Sequence, residues 1–185
     1  MGNYPEILTK RLLLRGFQPA DAPEVQLLAG SIEVAKMTLN IPHPYLDGMA
    51  EDWIASHQQD FNTGDAVVFA MVDVQSGNLV GAIGLMITKR FNRAELGYWV
   101  GHPFWGRGYA TEAAQAILRY GFEELQLNKI YATHMTRNPA SGRVMQKIGM
   151  DQEGVLKQHA LKWDHFVDLA AYGILATTWQ QHDAK

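Results

Sequence analysis

The sequence predicts a mixed α/β domain of the α+β kind, a mostly antiparallel sheet flanked by helices. Three observations lead there. Ala66 to Val74, Leu79 to Lys89 and Arg93 to Val100 are consecutive runs rich in β-branched and aromatic residues, with a hairpin turn at Gln75-Ser76-Gly77-Asn78, so they form a meander. Ala110, Ala114, Ile117, Leu118, Gly121, Phe122 and Leu125 then recur on one face at helical spacing, which makes an amphipathic helix of about four turns. Further strands follow, separated by a helix that starts at Pro139.

The remaining elements fall into order around that frame. Ile7 to Arg15, with Leu12-Leu13-Leu14, reads as a first strand, and Pro19 to Pro23 opens a helix through Leu28. Ser31 caps a short second helix, Ile41-Pro42-His43-Pro44 forces extended chain, and Asp47 caps a third helix to about Asn62. Lys129 to Thr136 is a strand, and the Pro139 helix turns Val144, Met145 and Ile148 inward. Asp151 to Gln158 and His165 to Ala176 close the chain, for a total of about seven strands.

At 185 residues, 47% hydrophobic and 19% charged, the chain is expected to form one domain over residues 1–185 without a partner. Within it, about 1–65 is a strand and helical arm, about 66–150 the core and about 151–185 the final strands. The absence of Cys excludes disulfides, thiolate zinc sites and a cysteine nucleophile. The start, Met1-Gly2-Asn3-Tyr4-Pro5-Glu6, has no basic and apolar signal region, Glu6 stands where a myristoylation site wants Ser or Thr, and no later segment suits a bilayer. A cytoplasmic protein, monomeric or homodimeric, is expected. A pI of 6.1 without a basic stretch disfavours nucleic acid as partner.

Charge is unevenly placed. From Met37 to Thr88 there is no Lys or Arg, while Asp47, Glu51, Asp52, Asp60, Asp65 and Asp73 supply six acids. From Lys89 to Lys147, nine bases face four acids. Solvated faces account for such blocks, unless the basic half also holds a phosphate site.

His102-Pro103-Phe104-Trp105-Gly106-Arg107-Gly108-Tyr109-Ala110-Thr111-Glu112 supplies one, because it joins a strand to the N-terminus of the longest helix with little side chain over its backbone. Unpaired N–H groups there suit an anion, a pyrophosphate above all, and Arg107 and the Thr111 hydroxyl add donors. A Gly-rich turn that only changes direction is the plainer alternative. A dinucleotide fingerprint would need Gly or Ala where Thr111 stands, and the Gly-Lys-Ser/Thr of a P-loop is absent.

The loop resembles the acyl-CoA pyrophosphate motif of the GNAT superfamily, Gln/Arg-x-x-Gly-x-Gly/Ala, written here as Trp105-Gly106-Arg107-Gly108-Tyr109-Ala110. Trp105 departs from its first position in a way similar to the Rim-type branch, the ribosomal-protein N-terminal acetyltransferase-like enzymes. That likeness extends from Leu12-Leu13-Leu14-Arg15 through Glu95-Leu96-Gly97-Tyr98-Trp99 and Asn138-Pro139-Ala140-Ser141 to Lys147-Ile148-Gly149. Gln146 stands where Glu is common and Met150 where Phe is common. The resemblance implies an acetyl-CoA-dependent N-acetyltransferase whose sheet splays between the strand ending near Val100 and the strand Lys129 to Thr136. The pantetheine arm would lie in the opening. It implies backbone pairing around Trp99 and Val100, with an N–H there polarising the thioester, and cofactor contacts at Gly106 to Thr111, Asn138, Ser141 and Arg143. Asn138 before Pro139 is equally a helix cap. The implied acceptor is a protein N-terminus or a small cationic amine, and the aromatic and acidic arm from Pro42 to Asn62, with Tyr45, Trp53 and Phe61, is expected to line its side. A non-catalytic acyl-CoA-binding or sensory module is the rival.

Proton transfer has three candidates. Glu95, on the strand that borders the opening, suits a general base, with an exposed acid or an ion pair to Arg93 as the alternative. Ser141 suits donation to the leaving sulfur, or it merely satisfies backbone N–H groups in the first helical turn. His134 reads as buried and hydrogen-bonded, not catalytic. His43, His57, His102, His159 and His165 share no ligand spacing, so no metal is expected.

Overall fold

Strand alternation decides where the helices of this protein pack. The computed structural model describes residues 4–183, so Met1 to Asn3, read above for targeting signals, lie outside the described residues. The meander is β3 (Ala66–Asp73), β4 (Leu79–Thr88) and β5 (Arg93–Val100). Phe69, Met71, Ile83, Leu85 and Leu96 point to one face, under the long helix α4 (Tyr109–Arg119). Ala70, Val72, Ala82 and Trp99 point to the other, against α1 (Ala22–Ala29), α2 (Ile32–Ala35) and α3 (Met49–Thr63). Both faces are therefore covered. Ile117 and Leu118 of α4 are wholly buried, and a side chain of that size stabilises the fold by roughly 1.5–3 kcal/mol.

The sheet has eight strands in the order β1-β2-β3-β4-β5-β6-β8-β7, one more than expected. The extra strand comes from the first run, which is a hairpin of β1 (Ile7–Leu8) and β2 (Leu12–Gly16). Thr9 breaks it: its N–H bonds Leu12 O at 2.8 Å and its hydroxyl accepts from Leu12 N at 3.0 Å. Such side-chain capture of the backbone carries no Gly or Pro signal.

A second difference lies at α3. Asp47 does not cap it; Gly48 does, with φ 87°, while Asp47 Oδ1 accepts from Gln26 Nε2 at 2.8 Å. The chain enters this helix through a left-handed residue, which glycine adopts without strain. Ser31 does cap α2, its hydroxyl accepting from Val34 N at 3.4 Å. After α4 the helix widens into a π turn over Tyr120–Glu124. The chain ends in a helix that the strand-rich reading of the C-terminus missed, α6 (Ala176–Asp183), whose Trp179 ring lies 5.4 Å from that of Phe122. Among the described residues no helix is long and apolar enough to cross a membrane.

On α3, His57 is only 5% exposed and neither ring nitrogen has a hydrogen-bond partner among the described residues. The Trp53 and Phe17 rings pack against it at 4.4 and 5.4 Å. Burial pushes its pKa down from 6.5 to about 4, so acid charges the unfolded chain before the folded one. Stability is thus unaffected above pH 6.5 and falls between there and pH 4, by up to about 3 kcal/mol from this group. Urea midpoints at pH 7 and pH 4.5 are expected to differ by clearly less in His57→Leu than in the parent protein. An equal difference in both would show that His57 does not carry the slope.

Candidate active site

β5 and β6 (Lys129–Met135) run parallel, but they pair only over Arg93, Glu95 and the residue between, against Lys129 to Tyr131. Beyond Glu95 the strands part, so the sheet is splayed where expected. The N-termini of α4 and of α5 (Pro139–Lys147) stand over the opening. Two cavities fill it, of about 520 and 440 Å³, and they share Met37, Thr38, Tyr98, Trp99 and Ser141 as lining. Together they form one cleft through the sheet.

The wider cavity ends at the glycine loop. Gly106 and Gly108 have φ 75° and 82°, and Gly108 enters α4 with no side-chain cap, which leaves first-turn N–H groups without partners. Gly106, Gly108, Tyr109, Ala110 and Thr111 line the cavity, as do Asn138, Ser141, Arg143 and Lys147. This is a cradle that fits a pyrophosphate, and a Cβ added at Gly106 would stand in open space. Arg107 does not line it; its guanidinium lies 5.6 Å from the centre of the Phe104 ring. Its carbonyl is instead a fixed point of the loop, accepting from Arg11 Nη1 at 2.8 Å. Arg11 is held in turn by Glu112, Nε to Oε2 at 2.6 Å and backbone N to Oε1 at 2.7 Å, with the Thr9 hydroxyl adding 2.8 Å. Burial alone would raise the Glu112 pKa, but the Thr9 and Arg11 hydrogen bonds outweigh it and hold the carboxyl below its usual range. The β1–β2 turn, which sequence reading passed over, thus clamps the loop.

Trp105 has a structural use as well. Its indole N–H donates to Val100 O at 2.6 Å and ties the loop to the end of β5. Gly101 N bonds Val80 O at 2.9 Å, so by antiparallel alternation the Trp99 amide groups face Ala82, and those of Tyr98 and Val100 face the opening. Val100 therefore turns its N–H toward the cleft while its carbonyl is taken by Trp105, and Trp99, which also lines the cleft, has its amide groups engaged with β4.

At the α5 end, Asn138 is the helix cap: its Oδ1 accepts from Ser141 N at 3.3 Å. That orientation makes its Nδ2 the donor to Met37 O and to Ser141 Oγ, both at 3.1 Å. With a lone pair so engaged, the Ser141 hydroxyl proton is left to point elsewhere. Tyr98, which the sequence reading did not single out as a site residue, donates from its hydroxyl to Ser141 O at 3.2 Å. Burial raises its pKa to about 12, so it stays protonated. Its signal in the sequence was its place in the same strand segment as Glu95.

Glu95 and Ser141 are brought to one cleft but to different depths. Glu95 lines the narrower cavity, and Ser141 lines both. Glu95 Oε1 accepts from the Thr133 hydroxyl at 3.3 Å across the parting strands. Arg93 turns its guanidinium over the Phe91 and Tyr131 rings, each at 5.2 Å. His134 is hydrogen-bonded, Nδ1 to Met135 O at 2.9 Å, with its Nε2 buried against Gly142. Among the described residues Glu95 is the one carboxylate on the narrower cavity, which has no Lys or Arg; His134, Thr133 and Asn40 share a lining that is otherwise mostly apolar.

The arm contributes less than its composition implied. Only Trp53 of its aromatic residues lines the cleft, because Phe61 packs on Tyr4 at 4.5 Å and Tyr45 packs against Gly30. None of the six acids lines it; Asp65 pairs with Lys89 at 2.8 Å and Asp73 accepts from the Tyr109 hydroxyl at 2.7 Å. The narrower cavity is walled on that side by Met37 to Ile41 instead. Among the described residues no group of three or more His, Asp or Glu converges as a metal site needs.

Comparison with known proteins agrees with this geometry. Residues 11–151 match the family model described as "Acetyltransferase (GNAT) domain". The "Uncharacterized N-acetyltransferase YnaD" of Bacillus subtilis is 37% identical over 175 residues, spanning 94% of this chain and 98% of that protein. The crystal structure of an acetyltransferase (GNAT family) from Bacillus anthracis superposes with a TM-score of 0.84 at 29% identity, covering 94% and 99% of the two chains. The [ribosomal protein uS5]-alanine N-acetyltransferase of Escherichia coli is 28% identical over 100 residues, 53% of this chain and 52% of that one.

Proposed function

The chain belongs to the GNAT acetyltransferase family, and we propose that it moves the acetyl group of acetyl-CoA to a primary amine with a single charge on an apolar body, such as a peptide N-terminus. The observation that carries the acceptor choice is the charge of the narrower cavity, where among the described residues Glu95 is the one carboxylate in a mostly apolar lining. A polyamine or aminoglycoside would bring several cations and find one counter-charge.

Gly106 and Gly108 with the first-turn N–H groups of α4 would hold the pyrophosphate, and the edge of β5 that Tyr98 turns to the opening would pair with the pantetheine arm. Bound there, acetyl-CoA supplies an activated thioester. The Val100 N–H polarises its carbonyl and stabilises the developing oxyanion. Glu95 takes the proton from the attacking amine, directly or through water. An α-amine is about a tenth neutral at pH 7, against roughly one part in 2,500 for a lysine amine, so a base at Glu95 helps either. As the C–S bond breaks, the Ser141 hydroxyl, oriented by Asn138, hydrogen-bonds the departing sulfur and relays a solvent proton to it, so that the serine ends the step protonated.

Coenzyme A thiol release tests the reading. With acetyl-CoA in excess, a peptide with a free N-terminus or phenethylamine is expected to be turned over at higher kcat/KM than spermidine, and an N-acetylated peptide not at all. Preference for spermidine would overturn the acceptor assignment, and binding of acetyl-CoA without release to any amine would identify a sensory module.

A further inference from the structure

The stretch from Lys36 to Ile41, between α2 and α3, borders the cleft as a strap, and side chains from the C-terminal half of the chain hold its carbonyls. Arg137 Nη2 donates to Lys36 O and Asn138 Nδ2 to Met37 O, each at 3.1 Å. Lys162 Nζ donates to Leu39 O at 3.1 Å and to Ile41 O at 2.8 Å. Met37 and Thr38 line both cavities, and Leu39, Asn40 and Ile41 line the narrower one. The position of these residues sets the width of that cavity.

Lys162 is an unusual choice for this task. It ends β7 (Asp151–Lys162), beside the turn Trp163-Asp164 that leads to β8 (His165–Leu175), and both turn residues have positive φ, 49° and 62°. Lys162 is 5% exposed, and among the described residues no carboxylate pairs with it. Its ammonium rests on two strap carbonyls and on the face of Trp163, 4.8 Å from the ring centre. A buried cation without a counter-charge is a poor source of stability, and an apolar residue of similar length commonly does as well or better for the fold alone. What an apolar residue cannot do is donate to two carbonyls of a segment whose own backbone makes no regular structure.

We propose that Lys162 is a positioning residue of the acceptor site, holding the Leu39–Ile41 part of the strap at the width the amine requires. It lines neither cavity. The proposal rests on the reading of the narrower cavity as the acceptor site. It places a determinant of acceptor binding more than 120 residues along the chain from the segment that lines the pocket.

Two variants of the full chain separate this from a role in stability. Lys162→Met keeps length and removes the donors, and Lys162→Arg keeps charge and donors. Limited chymotrypsin digestion, which cuts after residues such as Met37 and Leu39, needs no acceptor. Cleavage within the strap, scored apart from any new cut at the substituted position, is expected to be at least about tenfold faster in Lys162→Met, unchanged at the other parental sites, and largely restored in Lys162→Arg, because local opening and global unfolding are separate events. With the free peptide or phenethylamine as probe, Lys162→Met is expected to raise KM at least about fivefold with kcat and acetyl-CoA affinity kept. Strap cleavage at the parental rate would overturn the proposal, as would faster cleavage throughout the chain or equal losses in acetyl-CoA and acceptor binding. If the parent protein turns over neither probe, the acceptor reading fails, while the digestion still decides whether Lys162 holds the strap.

Discussion

Gly108→Val is expected to weaken acetyl-CoA binding by at least about tenfold while the protein stays folded. Gly108 sits at φ 82°, where a residue with a Cβ costs roughly 1–2 kcal/mol and a β-branched one more. The added Cβ itself meets nothing closer than Arg11 Nη2 at 3.5 Å, so strain and not collision drives the change. The loop relieves it by rotating, which turns the first-turn N–H groups of α4 away from the cavity and lets go of the Arg107 carbonyl that Arg11 holds. Ile117 and Leu118 keep the rest of α4 in the core. Calorimetry with acetyl-CoA, alongside a thermal melt, measures both halves. Parental affinity in a folded Gly108→Val protein would remove the basis for the pyrophosphate site.

Glu95→Gln should lower kcat at neutral pH by roughly 10²-fold, the lower end of what a positioned general base contributes, and leave acetyl-CoA affinity nearly intact because Glu95 lines only the narrower cavity. Glutamine preserves shape and can still accept from Thr133. Raising the pH should restore part of the rate, since alkaline solution supplies the neutral amine that the base otherwise provides, and the rescue should be larger for a lysine-like acceptor than for an α-amine. Ser141→Ala should respond differently: its smaller loss belongs to protonation of the leaving thiolate, which high pH does not relieve. A parental kcat for Glu95→Gln at pH 7 would show that positioning alone carries the reaction, with solvent as base.

The elements that sequence reading reached are those whose cause is local. The β-branched and aromatic runs of β3 to β5, the 3.6-residue period of α4 and Pro139 at the start of α5 act over a few residues, and each stands where expected. The glycine loop was legible for the same reason: positive φ at Gly106 and Gly108 and a helix entered without a capping side chain are properties of that stretch alone. Its neighbour Arg107 shows the limit. A base in a phosphate loop reads as a ligand, yet its guanidinium stacks on Phe104 and its carbonyl serves as the anchor for Arg11.

The charge block from Asp47 to Asp73 is the clearest case of composition pointing to the wrong place. Sequence orders the acids along the chain, but burial of Ala50 and Ile54 against α1 and the sheet fixes which face of α3 turns inward, and the acids follow on the outer side. By itself, then, the sequence determined the class of chemistry, because an anion cradle at a strand-to-helix junction is built from contiguous residues. Only the tertiary structure decided the narrower cavity, because its walls are assembled from distant segments. Glu95 meets Thr133 only where two parallel strands part, and the strap from Lys36 to Ile41 takes its place only when Arg137, Asn138 and Lys162 reach it. Such contacts depend on packing across more than a hundred residues of chain, and no local periodicity encodes them.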